Sequence, residues 1–133
     1  MTRIITYGTF DLFHVGHLRL LTRARSLGDE LFVGVSSDEF NAIKGKRALF
    51  PFESRAAIVA ELRCVDHVFS EDSWDQKPSD FTKFRADIFV MGSDWAGKFD
   101  HFANLVNIHY LPRTEGISST DIKNTIKSSI VYL

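Results

Sequence analysis

Residues 4–17, Ile4-Ile5-Thr6-Tyr7-Gly8-Thr9-Phe10-Asp11-Leu12-Phe13-His14-Val15-Gly16-His17, change their hydrophobic period within a few positions. Residues 4–7 form a short apolar run of the kind that makes a buried strand. From Val15 onward Leu18, Leu21 and Ala24 recur at helical spacing, with Gly28 as the stop. The stretch reads strand, loop, helix, and the same alternation continues along the chain. Strands are expected at 31–35, 67–69, 88–91 and 108–111, and helices at 51–62, 79–84 and 98–105. A final helix is expected after Pro112, capped by Ser118 or Ser119 and carrying Ile122 and Ile126 on its inner side. Strands and helices alternating at this spacing predict a parallel sheet with right-handed crossovers and helices on both faces. The expected fold is α/β: a single doubly wound, Rossmann-like domain, residues 1–133, with a five-stranded parallel sheet.

Composition narrows the function. The 133 residues, 44% of them hydrophobic, suffice for one core and not two. A formal charge of -1 supplies no global basic field, so any polyanion site must be a local cluster. No basic stripe with interleaved aromatics suggests nucleic-acid binding. Cys64 is the only cysteine, which excludes a disulfide framework and a thiolate metal cluster and suits a reducing compartment; it is expected to be a small buried apolar residue. The N-terminus lacks a signal-peptide pattern, and no run approaches the ~20 apolar residues of a membrane span, so a cytoplasmic protein without membrane insertion is expected.

The chemistry-bearing residues fall into separated blocks. His14 and His17, three apart at a helix start beyond a strand, would project on one side where free amides and the dipole favour phosphate, and Gly16 permits close approach. Neither a Walker pattern nor G-x-G-x-x-G is present, so a different phosphate site is needed. Arg113-Thr114-Glu115-Gly116-Ile117-Ser118-Ser119-Thr120 repeats the anion logic before the last helix, with a guanidinium fork and hydroxyl donors. Met91-Gly92-Ser93-Asp94-Trp95 ends the fourth expected strand; beside the first strand it would flank the switch point and accommodate a nucleoside. Lys44, Lys46, Arg47 and Arg55 form a local basic run. Arg47 reads as solvated surface, whereas Lys44, Lys46 and Arg55 are candidates to reach a triphosphate or a second, phosphorylated substrate. Arg63 and Asp66 are equally readable as a structural ion pair.

In three blocks, residues 6–17, 89–100 and 111–120, the sequence resembles the bacterial glycerol-3-phosphate cytidylyltransferases, within the nucleotidyltransferase superfamily marked by H-x-G-H. The resemblance implies transfer of a cytidylyl group from CTP to glycerol 3-phosphate, giving CDP-glycerol and pyrophosphate. It implies that His14, His17, Lys46 and Arg113 stabilise charge during transfer, and that Thr9, Phe10, Asp11, Gly92, Asp94, Trp95, Thr114, Ile117, Ser118 and Ser119 join His14, His17 and Arg113 around the nucleotide. Lys44, Lys46 and Arg55 would meet the acceptor's phosphate or those of CTP, and Asp11 would be the acid near metal and phosphates. Magnesium is expected mainly through the CTP phosphates, with no dedicated protein ligand set. Residues 63–68 resemble a dimer-interface segment, so a homodimer is expected, and CDP-glycerol for teichoic acid or another surface polymer is the expected product use. Ser93, Ala96 and Cys64 depart from the usual acidic residue, glutamate and tyrosine, and residues 47–53 and 72–85 also diverge. Transfer to another alcohol phosphate such as phosphoethanolamine, use of ATP, and a non-catalytic nucleotide-binding paralogue stay open.

Overall fold

The computed structural model describes the backbone of residues 1–130 and the side chains of residues 1–128. Five strands, β1 (Arg3–Gly8), β2 (Glu30–Ser36), β3 (His67–Glu71), β4 (Ile88–Gly92) and β5 (Asn107–Leu111), form one parallel sheet in the order β3-β2-β1-β4-β5. The helices are α1 (Val15–Arg25), α2 (Asp38–Ile43), α3 (Phe52–Ala60), α4 (Lys77–Lys83) and α5 (Ser119–Ile130). The apolar runs are continuous because the central strands are covered on both faces. Ile4 and Val90 join Leu21, Ala24 and Val59 in one core, while Ile5, Tyr7, Phe89 and Met91 join Phe81, Phe99 and Val106 in the other. Each fully buried aliphatic or phenylalanine side chain contributes roughly 1.5–3 kcal/mol.

The chain order reverses at β1, which pairs with β2 on one side and β4 on the other. Ile4, Ile5 and Thr6 stand opposite Ile88, Phe89 and Val90, and the buried Thr6 hydroxyl donates to the Val90 carbonyl at 2.6 Å. The expected crevice is thereby built at the carboxyl ends of these two strands.

Five local readings need correction. Residues 98–105 form no α-helix: Gly97 takes φ +81° and a single 3-10 turn, Asp100–Phe102, follows. There Phe99 and Phe102 turn into the second core, and the Phe99 amide donates to the Tyr110 hydroxyl at 3.0 Å. Helix α2 was not anticipated, although Ser37 caps it by accepting the Phe40 amide at 3.1 Å and Asp38 and Glu39 occupy its first turn. On the inner-face assignments, Ile122 is half-buried, but Leu18 and Ile126 are 40% and 47% exposed. Asp66 pairs with Arg25 at 3.3 Å, not with Arg63, and accepts the Leu31 amide. Cys64 is half-buried against the first core.

Candidate active site

The loop between β1 and α1 is held in a conformation that most residues avoid. Phe10 and Leu12 have φ of 54° and 48°, a left-handed geometry costing on the order of 1–3 kcal/mol per residue. Tertiary contacts hold it. Phe10 is buried, with its ring edge against His17. The Asp11 carboxylate accepts the Leu49 and Phe50 amides at 2.7 and 3.1 Å and the Lys123 ammonium at 2.8 Å. Burial alone would raise the Asp11 pKa, but the Lys123 hydrogen bond, the two amides and the Lys123 charge together bring it below the usual carboxylate range.

The two histidines cap the helix they open. His14 is the N-cap of α1; its Nδ1 accepts the Gly16 amide at 3.0 Å, and its own amide donates to His17 Nδ1 at 3.2 Å. An amide can only donate, so both Nδ1 atoms are unprotonated acceptors and each neutral ring carries its proton on Nε2. The rings stack with centroids 3.9 Å apart. Burial, and then the Arg113 charge, lowers the His14 pKa; burial, and then His14, takes that of His17 down to about 4. At neutral pH the pair is therefore two uncharged, orientated N–H donors. Gly16 is required between them, because a Cβ there would lie 2.8 Å from His14 Cε1 and 2.9 Å from its Nδ1.

The block before α5 closes over the same loop. Ser118 caps the helix, its hydroxyl accepting the Asp121 amide at 3.0 Å, and the Ser119 hydroxyl donates to the Asp11 carbonyl at 2.6 Å. Arg113 stands 3.8 Å from Asp94 across the mouth, both largely exposed. Lys123 also donates to the Arg47 carbonyl, so Asp11 and Lys123 together tie the histidine loop, the lysine loop and α5.

The far half of the cleft is lined by aromatic rings and lysines. Trp95 packs on Phe99 and Trp74, and Lys77 lies over the rings of Tyr7, Trp74 and Phe99 at 4.6–5.4 Å. Tyr7 donates to Asp80 at 2.9 Å, and burial, then the Asp80 charge, raises its pKa, so the phenol stays neutral. Lys77 pairs with Glu71 at 2.8 Å with both side chains buried. Lys44 donates to the Ser36 hydroxyl at 3.0 Å; burial pushes its pKa down to about 8, with Glu71 opposing and Lys46, Lys77 and Arg55 adding to the fall.

One cleft of about 560 Å³ joins these parts. The structure brings to it Thr9, Phe10, Asp11, His14, His17, Lys44, Lys46, Gly92, Asp94, Trp95, Arg113, Thr114, Ile117, Ser118 and Ser119. Arg55 is the exception. It is 1% exposed, and its guanidinium donates to the carbonyls of Phe50, Thr9 and Ser36 and to Asp38. A three-carbonyl nest consumes the donors that a phosphate would need, so Arg55 braces the loops. Arg47, read as solvated surface, is exposed yet stands on the cleft rim. Sequence reasoning missed Glu71, Trp74, Lys77 and Lys123, which also line the cleft; a Lys-Pro pair at a helix start was the available signal for Lys77. Among the described residues no group of three or more His, Cys, Asp or Glu is placed to hold a metal. Both Asp11 oxygens are taken by amides and Lys123, so that carboxylate does not fit the role of a resident metal ligand.

Comparison with known proteins follows the same lines. A cytidylyltransferase-like family model matches residues 5–125. The chain is 52% identical over 126 residues to the glycerol-3-phosphate cytidylyltransferase of Bacillus subtilis (strain 168), covering 95% of this chain and 98% of that one. To the enzyme of the same name from Staphylococcus aureus (strain NCTC 8325 / PS 47) it is 50% identical, with 95% and 96% covered. Among solved structures, the lipopolysaccharide core biosynthesis protein from Thermoplasma volcanium GSS1 superposes with a TM-score of 0.74 at 27% identity, over 86% of this chain and 97% of that one.

Proposed function

The chain belongs to the cytidylyltransferase-like family, and from that membership we propose that it transfers the cytidylyl group of CTP to glycerol 3-phosphate, forming CDP-glycerol and pyrophosphate. The observation that carries the reading is the meeting, in one cleft at the β1/β4 switch point, of the histidine pair, the segment from Arg113 to Ser119 and the lysines. A phosphate monoester with a second pKa of about 6 is largely dianionic at neutral pH, so the acceptor is a competent nucleophile without a general base. Its oxygen forms a bond to the α-phosphorus in line as the bond to the bridging oxygen of pyrophosphate breaks, and the electron pair leaves with pyrophosphate.

The protein's work is positioning and charge stabilisation. His14 and His17 offer Nε2–H donors whose directions are fixed by the reciprocal caps, so little reorganisation accompanies the charge that builds on the phosphate oxygens. Arg113, Thr114, Ser118, Ser119 and the amides opening α5 receive the triphosphate with Lys46, while Thr9, Phe10, Gly92, Asp94 and Trp95 border the nucleoside. The acceptor's phosphate enters between Lys44 and Lys77. Asp11 serves this chemistry by holding the loops. Magnesium, where it enters, would be held by the triphosphate rather than by a side chain of this cleft, and would supply neutralisation of phosphate charge beside Lys46 and Arg113.

The proposal extends to a homodimer through residues 63–66 and the free edge of β3, where Arg63, Asp66 and His67 are exposed; sedimentation velocity tests it. No helix among the described residues is long and apolar enough to cross a membrane. A cytoplasmic location and delivery of CDP-glycerol to teichoic acid or another surface polymer accord with these substrates. The test is pyrophosphate release with magnesium, CTP and a panel of alcohol phosphates, with ATP as control. Release with CTP and glycerol 3-phosphate is expected. Release only with another acceptor, such as phosphoethanolamine, or only with ATP refutes the assigned substrate, and no release despite CTP binding refutes the enzyme.

A further inference from the structure

Resting on the acceptor site just described, we propose that Glu71 and Ser36 are positioning residues that join Lys44 and Lys77 into one clamp for the acceptor's phosphate. The parallel register of β2 and β3 sets Ser36 beside Glu71 at the carboxyl ends of the two strands. Ser36 has a single hydroxyl proton and donates it to Glu71 Oε1 at 2.7 Å, so the ammonium of Lys44, 3.0 Å away, meets the oxygen's lone pair. The other carboxylate oxygen, Oε2, accepts Lys77 Nζ at 2.8 Å. The direction of the chain is thereby fixed: Lys44 to Ser36 to Glu71, with Lys77 arriving from the opposite side. One carboxylate orientates both lysines, and successive hydrogen bonds polarise one another.

Stability alone does not account for this network. Ser36, Glu71 and Lys77 are 0%, 3% and 1% exposed, and a buried ion pair can usually be replaced by apolar residues without loss. The network is also unbalanced, with two ammonium groups sharing one carboxylate at the wall of the cleft. Of the three N–H donors of Lys77 one goes to Glu71, and around the ammonium stand aromatic rings, which attract a cation without accepting a strong hydrogen bond. What remains is one excess positive charge and directed donors, which is what a phosphate recognises.

Glu71→Gln retains size and removes the charge. The KM for glycerol 3-phosphate is expected to rise roughly ten- to hundred-fold, the range for losing a buried hydrogen bond to a charged group, while the KM for CTP changes less than about three-fold. Ser36→Ala, which disconnects Lys44 only, is expected to give a smaller rise confined to the same substrate. The pH dependence separates positioning from general damage. Lys44 is faced by Glu71 from β3, Lys77 from α4, Arg55 from α3 and Lys46 from its own loop, and Glu71 alone among them holds its proton on. Acceptor affinity in the wild type should fall as pH rises through about 8, above the range in which the acceptor's own phosphate titrates, and in Glu71→Gln the fall should come at lower pH. Equal changes in both KM values, or an unmoved acceptor KM and alkaline limb, would overturn the clamp. If Glu71→Gln does not fold by circular dichroism, Ser36→Ala decides it, and an unchanged acceptor KM there overturns it. Calorimetric titration with glycerol 3-phosphate separates the two proposals: binding lost in Glu71→Gln, from a wild type that binds but never releases pyrophosphate, refutes the cytidylyltransferase reading and keeps the clamp. Wild-type turnover that Glu71→Gln leaves intact refutes the clamp alone.

Discussion

Adding one methyl group at Gly16 tests whether the histidine pair acts through its geometry. The new Cβ of Gly16→Ala would stand 2.8 Å from His14 Cε1, 2.9 Å from His14 Nδ1 and 3.4 Å from Ile117 Cγ2. An ordinary carbon contact of about 3.5 Å requires the imidazole to retreat by roughly 0.7 Å. The ring has no free direction, because its Nδ1 accepts the Gly16 amide at 3.0 Å and its face stacks on His17 at 3.9 Å. Retreat therefore stretches the cap bond out of range. Losing such a cap costs about 1 kcal/mol, a fall in melting temperature of roughly 3–6 °C for a domain of this size. The larger effect is on turnover: a donor displaced by a sizeable fraction of an ångström loses on the order of 10²-fold in rate. Pyrophosphate-release kinetics should show kcat lower by roughly 30- to 100-fold with the KM for CTP changed less than about five-fold. Turnover within about two-fold of wild type at an unchanged melting temperature would refute the claim that the reciprocal caps set the donor geometry.

Arg55→Lys should lose several kcal/mol of stability, about 3–5 by the cost of breaking a buried charge network, because one ammonium cannot serve three carbonyls and Asp38 together. Denaturant melts report this, and a variant as stable as wild type would return Arg55 to the list of ligand contacts. Asp11→Asn should destabilise more than Lys123→Met, because it removes an acceptor for the Leu49 or Phe50 amide as well as the ion pair, whereas the lysine variant leaves both amides satisfied; reversed thermal shifts would contradict that ordering. Acidification should weaken the fold in two stages. His17 is held neutral, so below pH ~6.5 the unfolded chain binds the proton that the folded one refuses, and stability falls by up to the order of 3 kcal/mol as pH drops towards about 4. Asp11, with its pKa lowered, contributes stability that is lost only below the ordinary carboxylate range. His17→Gln should shrink the first stage to the part that the lowered pKa of His14 supplies, and keep the second; an unchanged stability profile between pH ~6.5 and about 4 would show that the His17 imidazole is not its source.

What the sequence revealed was whatever depends on neighbours along the chain. The strand-to-helix switch at residues 4–17 and the histidines at helix spacing were legible because hydrophobic period and capping are local properties. Pairing of β1 with β4, on which the crevice depends, was readable only as a condition, since register between strands more than 80 residues apart leaves no local trace. Arg55 shows the opposite failure. Beside Lys44 and Lys46 in a basic run it looked like a phosphate ligand, yet its partners are carbonyls from β2 and from two loops, Ser36, Thr9 and Phe50, gathered by tertiary folding. Glu71 and Ser36, 35 positions apart, meet through the β2/β3 register, and without that pairing neither has a reason to stand out. The helix expected at 98–105 failed because its aromatic residues serve the second core in a turn that Gly97 starts and Tyr110 holds.

A chain of formal charge -1 builds a polyphosphate site by sorting its charges. Lys44, Lys46, Arg47, Lys77, Arg113 and Lys123 border the cleft with Asp11, Glu71 and Asp94 as the facing acids. Each acid stands beside a cation, Lys123, Lys77 and Arg113 in turn; among the described residues Lys44, Lys46 and Arg47 make no direct ion pair, and Lys44 reaches Glu71 only through Ser36. The uncompensated charge thus sits on the segment between α2 and α3, where the exposed Lys46 and Arg47 can attract an incoming polyanion. The histidine pair at the start of α1 is organised differently. Two imidazoliums stacked at 3.9 Å would repel, and the reciprocal caps exclude that state by using both Nδ1 atoms as acceptors. Exposed charge draws the substrate in, and neutral, fixed donors meet the oxygens on which charge accumulates. Those donors need no reorganisation during transfer, and their neutrality spares the cleft a further repulsion from Arg113 and the lysines.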